Sequence, residues 1–436
     1  MKLLEKHPAL LVFLLALAVR LACLAANPDA TVAPELYDAG RYHALAESLL
    51  AGENYEYNGH RAQVSPFYPL FIAGIYAVTG HSVAAVIVVQ CLLGALMAVI
   101  VLLTGRLVAG EKTGLAAGIA TALYWPLATL GIQMLSETLF LTLMAASVYY
   151  LLKGLESFGN RRLIVSAVLL GITTLTRPVI LYYLVVAVAA LWFNLRREKS
   201  LRKYWLPLLY AALAMMVLLP WGARNKAVMG TWIFTNTNTG QVLLTGNLPR
   251  DGKKLGFDLT PASIGLENAE VLSLPELERN QALKKMAIEH LRDKQTSLVR
   301  LIMLKIAYLF SPFDWELLGN NKGLFNPWFV WLVIFGIPGL FLIRWRWPTW
   351  LIPLLILYFV AISMVTYSSP RLRIPIIPYV LIAAGAGWVR LENRLGSRWK
   401  SGGLFAFIVL TCVVGYRYST PIKESASSLL SSMGLW

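Results

Sequence analysis

Apolar runs about as long as a bilayer is thick recur along most of this chain, and they decide what it can fold into. A helical span needs roughly 20 apolar residues to cross a hydrocarbon core about 30 Å thick. The backbone of such a run must satisfy its own hydrogen bonds in lipid, which a helix does. Only 14% of the 436 residues are charged and 57% are hydrophobic, against about 25% charged in a soluble domain. The expected fold is an all-α membrane protein, one polytopic domain over residues 1–436.

Eleven spans are expected, within a range of 10 to 13: residues 9–26, 83–107, 113–131, 133–152, 162–177, 179–195, 204–220, 327–343, 348–366, 374–389 and 403–417. The N-terminal run, with Lys2 and Lys6 ahead of it, resembles a signal peptide, but Arg20 interrupts it. It is read as an uncleaved first span.

Short basic loops set the orientation. Arg106 and Lys112, then Lys153, Arg161 and Arg162, then the run RREKSLRK at 196–203, then Arg344 and Arg346, then RLENRLGSRWK at 390–400 all fall between spans. The positive-inside rule puts them in the cytoplasm, with the N-terminus inside and the C-terminus outside. The same clustering accounts for the net charge of +16 without nucleic acid as a partner. Residues 296–312 are apolar but carry Arg300 and Lys305, and are read as an interfacial helix, with a twelfth span as the alternative.

Two large segments then lie outside. The first, 27–82, carries a helix with candidate chemistry. The second, 221–326, carries amphipathic helices. Ser273 followed by Glu276 fits a capping box. Beyond it Leu283, Met286, Ile288 and Leu291 mix with Lys284, Lys285, Arg292 and Lys294. The Thr-, Asn- and Gly-rich stretch 230–250 is read as turns and short strands. Cys23, Cys91 and Cys412 sit in apolar runs, and the five histidines show no ligand spacing. Neither a disulfide framework nor a zinc site is indicated.

Between Leu36 and Leu50 the residues Tyr42, Leu45, Ala46 and Leu49 form an apolar helical stripe, with Gly52 as a stop signal. Asp38 and Arg41, three apart, share one helix face. Asp38 is either a helix-start acid with a charge partner or a base facing a membrane cavity. Glu137, in LSETLF at the outer mouth of the fourth span, is either a helix-start acid with Ser136 as cap or a functional group. Arg177, Arg224, Arg371 and Arg373 all fall outside, against the positive-inside trend. Guanidinium groups bind phosphate in bidentate fashion, so the four point to an anionic ligand, which Lys305 joins.

Taken in order, YDAGRYHALAESLLAG, SPFYPLF at 65–71, LSETLF, TRP at 176–178, PWGARN at 220–225 and PRLRIPIIP at 370–378 resemble the GT-C superfamily of integral-membrane glycosyltransferases. Within it the chain is most similar to the protein O-mannosyltransferase group, which includes the lipid A aminoarabinose transferases. Where the aminoarabinose enzymes carry an acidic–Lys pair before those prolines, this sequence has Val64 and Ser65.

The resemblance implies an inverting glycosyltransferase using a polyprenyl-phosphate-linked sugar, with a lipid-linked or polysaccharide acceptor of the cell envelope. It implies a multi-pass protein of the bacterial inner membrane, its active site facing the periplasm. Asp38 would be the general base and Glu137 a second catalytic acid. Arg41, Arg177, Arg224, Arg371, Arg373 and Lys305 would bind substrate. No cofactor is expected; some relatives use a divalent cation, but no metal-binding loop is evident here. Two other classes fit the same layout: a lipid or glycan transporter or flippase, and a polymerase or ligase of lipid-linked glycans. Charge clustered at the outer mouth and the lack of matching halves favour the transferase over the transporter.

Overall fold

In a computed structural model the described residues are 7–32, 34, 37–157, 159–197, 199–248, 266–293, 297–314, 324–395 and 398–417. They are almost wholly helical. The helices, in chain order, are α1 Pro8–Ala25, α2 Tyr37–Leu50, α3 Phe67–Thr79, α4 Val83–Ala109, α5 Glu111–Leu123, α6 Trp125–Gly131, α7 Glu137–Ser157, α8 Asn160–Thr176 and α9 Tyr183–Leu195. They continue with α10 Arg202–Met229, α11 Thr239–Asn247, α12 Glu276–Arg292, α13 Leu298–Leu309, α14 Pro327–Leu342, α15 Leu351–Val365, α16 Ile377–Leu395 and α17 Arg398–Arg417. Two strands, β1 Phe313–Asp314 and β2 Leu324–Phe325, pair antiparallel, Phe313 opposite Phe325.

Each expected span falls on a helix. Among the described residues six helical segments are long and apolar enough to cross a bilayer, and seven if α5 and α6, bent by 55° at Tyr124, count as one. The chain is a multi-pass membrane protein. The 12 residues of α13 rise about 18 Å, too short to cross.

The chain divides into two compact units. The first holds Met1–Asn236 with Ile334–Leu355 and Pro378–Leu391. At its centre α4 packs against α1, α5 and α7, while α8 packs against α7 and α10. Small residues allow the closest approach: a Cβ on Gly105 would lie 2.9 Å from Gly114 Cα, so α4 and α5 form a tight hairpin. Ser82 caps α4 through Ala85 N–H. On α2 the expected stripe is the packed face: Leu45 and Ala46 are buried and Tyr42 and Leu49 partly so. Gly52 follows the helix with φ +73°, a left-handed conformation that suits glycine.

The second unit holds Thr237–Val333 with Ile356–Ile377 and Glu392–Trp436. Within it α11 packs on α12, and α13 on the 3₁₀ turn Pro370–Ile376.

Four local expectations are corrected. The capping box does not form: Pro275 precedes α12 with no side-chain cap, Ser273 Oγ donates to Glu270 O, and Glu276 accepts from Thr237 instead. Ile288 is exposed, and Leu283 with Ala287 makes the buried contact of α12. Residues 239–247 are helical, because Asn280 Oδ1 accepts from Gly240 N–H at 2.7 Å and α12 covers the helix. Tertiary contact there outweighs the weak helix propensity of Thr, Asn and Gly. Finally, α10 runs through Pro220 to Met229, well past the expected end at 220.

Candidate active site

Two of the acid–arginine pairs in the first unit involve Asp38 and Glu137. Asp38 stands in the first turn of α2, and Arg41 Nη2 donates to its Oδ1 at 3.0 Å. Both side chains are about one-third exposed, 35% for Asp38 and 30% for Arg41. Glu137 is the first residue of α7, and Arg177 follows the last residue of α8. Because α7 and α8 form an antiparallel hairpin, these two helix ends meet. Arg177 Nη1 lies 2.7 Å from Glu137 Oε1 and also donates to Ser136 Oγ at 3.3 Å. The Glu137 side chain is only 4% exposed.

Tyr42 joins the pairs. It is one turn along α2 from Asp38, and its hydroxyl is 3.4 Å from Ser136 Oγ. Burial first, and then the Asp38 and Glu137 carboxylates, push its phenol up to about 12, while Arg177 acts in the opposite direction. The phenol therefore stays neutral at physiological pH and senses both acids. In the sequence Tyr42 shows only as part of the apolar stripe of α2, and Ser136 only as a cap for Glu137.

Arg224 has another kind of environment. From the C-terminal part of α10 it donates to Arg61 O at 2.6 Å and Tyr55 O at 2.8 Å, and to Asn225 Oδ1 at 2.9 Å. Its guanidinium lies 5.0 Å from the Trp221 ring centroid and 5.6 Å from that of Tyr55. It clasps the 55–61 turn to α10. Tyr55 in turn packs edge-on to Trp221.

Lys305, Arg371 and Arg373 belong to the second unit. Lys305, fully buried on α13, donates to Asn247 Oδ1 at 2.7 Å, Met364 O at 2.7 Å and Thr366 O at 2.9 Å. Burial among neutral acceptors lowers its amine to about 8. Arg373, also buried, donates to the carbonyls of Leu309 and Ser311 and lies 3.6 Å over the Phe329 ring. Both side chains hold backbone. Arg371, two residues away on the same turn, is half-buried. No group of three His, Cys, Asp or Glu side chains among the described residues is arranged to hold a metal ion.

Residues 63–223 match the family model described as dolichyl-phosphate-mannose-protein mannosyltransferase. That stretch includes Glu137 and Arg177 and leaves out Asp38, Arg41 and Arg224. The crystal structure of the Archaeoglobus fulgidus oligosaccharyltransferase in the apo form is similar with a TM-score of 0.59 at 14% identity, over 97% of this chain and 56% of that one. The same organism's AglB, in complex with an inhibitory peptide and a dolichol-phosphate, gives 0.52 at 12% identity with the same coverage. This chain thus spans little more than half the length of that enzyme. ArnT from Cupriavidus metallidurans, bound to undecaprenyl phosphate, gives 0.43 at 14% identity over 88% of this chain and 78% of that one, too low to weigh. No curated protein matches the sequence. The structural likeness is one of fold. With the family-model match, it supports the GT-C superfamily of membrane glycosyltransferases.

Proposed function

We propose that this chain, a GT-C membrane protein, is a polyprenyl-phosphate-sugar-dependent glycosyltransferase of the bacterial cell envelope. It transfers a hexosyl or pentosyl group to a lipid-linked or polysaccharide acceptor on the periplasmic side of the inner membrane. The observation that carries this reading is two acid–arginine pairs in unlike settings, linked by Tyr42, one turn along α2 from Asp38, whose hydroxyl is 3.4 Å from the Oγ of Ser136, the neighbour of Glu137. Asp38 is partly exposed on α2, and Glu137 is buried and holds Arg177.

The chemistry follows from those settings. Asp38 takes the proton of the acceptor hydroxyl. The acceptor oxygen forms a bond to the anomeric carbon as the bond from that carbon to the phosphate oxygen breaks. The phosphate leaves with the electron pair on the polyprenyl carrier, and the configuration inverts. Charge grows on the phosphate as the bond breaks, and a fixed cation at that place lowers the barrier. Arg177 supplies the cation, and Glu137 fixes where it points. The dolichol-phosphate bound by AglB and the description of the matched family support a lipid phosphate as donor carrier.

The test is transfer from a panel of radiolabelled polyprenyl-phosphate sugars by purified wild type and Asp38→Asn, with membrane extract as acceptor pool. Labelled product from wild type and none from the folded variant is the expected result. Equal product from both removes Asp38 as base.

A further inference from the structure

Gln90 interrupts the apolar run VAAVIVVQCLLGALMAV of α4 and is fully buried. A primary amide in such a place is costly unless its groups are paired. Here they are. Gln90 Nε2 donates to Gly131 O at 3.2 Å and to Gln133 O at 2.6 Å, and Oε1 accepts from Tyr68 O–H at 2.6 Å.

Those two carbonyls lie where α6 ends and the chain crosses, without helix, to α7. Helix ends leave carbonyls without an intrahelical donor. Gln90 supplies donors from the neighbouring helix. Three residues beyond Gln133 stands Ser136, then Glu137. At the other end of the network, Tyr68 packs edge-on against Tyr42, ring centroids 4.8 Å apart at 81°. One amide therefore supports the segment that carries Glu137 and, through Tyr68, the tyrosine beside Asp38.

We propose that Gln90 is a positioning residue for the transferase site. It fixes the 132–136 crossing so that Ser136 and Glu137 meet Arg177 and Tyr42. The inference rests on the transferase reading above. The bland counterpart is an amide that glues helices together and has no bearing on the site.

The experiment uses the full chain in lipid nanodiscs with Gln90→Leu, Gln90→Glu and Tyr68→Phe. A buried glutamic acid stays protonated at neutral pH, accepts from Tyr68 and donates to Gln133 O. Hydrogen exchange of amides 132–137 is read alongside transfer kinetics. Gln90→Leu is expected to speed exchange in that segment at least tenfold, with α8 and α10 unchanged. Its kcat should fall at least tenfold with KM within twofold, Gln90→Glu should stay within about threefold of wild type, and Tyr68→Phe should fall between. Faster exchange with wild-type kcat, or loosening spread evenly over the helices, overturns the proposal. A wild type that transfers nothing from any donor overturns the transferase reading; the exchange result then still decides whether Gln90 holds the crossing.

Discussion

Arg177 Nη1 rests 2.7 Å from Glu137 Oε1, and the whole hairpin of α7 and α8 lies between them in sequence. Glu137 is almost completely buried, and that guanidinium lies against one of its carboxylate oxygens. Removing one partner of a buried pair leaves an uncompensated charge, at a cost of about 3–5 kcal/mol. Arg177 is 24% exposed, which moderates the figure. Arg177→Met is expected to destabilise the protein by about 2–4 kcal/mol, and adding Glu137→Gln should recover most of that. Thermal unfolding of the two single variants and the double variant checks it. Additive losses would show that the pair does not couple. Activity should be absent in all three.

The two pairs also differ in how far the sequence revealed them. Asp38 and Arg41 are three apart on a periodic helix, and their contact follows from helix geometry alone. Glu137 and Arg177 each stand out in the sequence, one as an acid at a span end and the other as a cation against the positive-inside trend. Their pairing needs the hairpin, which no local pattern encodes. Arg224, Arg373 and Lys305 show a deeper obstacle. Their partners are mostly backbone carbonyls, and a carbonyl has the same identity at every position. Gln90 did leave a signal, a lone amide in a long apolar run, where polar side chains seek partners. The apolar runs themselves were legible because span length is fixed by the bilayer, whereas helix 239–247 was not, because its neighbour α12 stabilises it.

Arg224 is expected to act as a clasp. Its two terminal nitrogens reach two different carbonyls, Arg61 O and Tyr55 O, a fork that one ammonium cannot reproduce. Arg224→Ala and Arg224→Lys should both speed hydrogen exchange over residues 55–62 by about tenfold. Global stability should fall by no more than about 2 kcal/mol. Protection retained in Arg224→Lys would mean that charge, not the fork, holds the turn.

Arg20 is buried in α1, where its Nη1 donates to Ala16 O at 3.0 Å. Among the described residues its Nε and Nη2 have no acceptor. The side chain lies against Gly94 of α4 so closely that a Cβ there would overlap Arg20 Nε. Gly94→Ala should therefore destabilise by about 1–3 kcal/mol, the usual cost of overpacking. Arg20→Met should be neutral or stabilising, since a buried charge gives way to an apolar chain. The double variant should regain most of the loss. Melting temperatures of the three proteins in one detergent decide it, and a double variant as unstable as Gly94→Ala alone would place the clash elsewhere.

Lys305 makes stability depend on pH in a direction that can be worked out beforehand. Its amine titrates at about 8 in the folded protein, below its ordinary 10.5, because burial disfavours the charge. Below pH 8 both folded and unfolded chains hold the proton, and the cost of burying an ammonium is present in full. Between 8 and 10.5 the unfolded chain keeps the proton and the folded chain releases it. The unfolded state then binds more protons, so stability rises with pH across that window. At about 1.4 kcal/mol per pH unit, over about 2.5 units, the full gain is about 3.5 kcal/mol. The neutral amine still offers two N–H groups to Asn247 Oδ1 and the carbonyls of Met364 and Thr366. The quantity to measure is wild type minus Lys305→Met, a difference in which the contributions of all other groups cancel. That difference in unfolding free energy should climb in favour of wild type from pH 8 to 10.5 and then level off. A flat difference would mean that the three acceptors keep the ammonium charged, and that they compensate its burial.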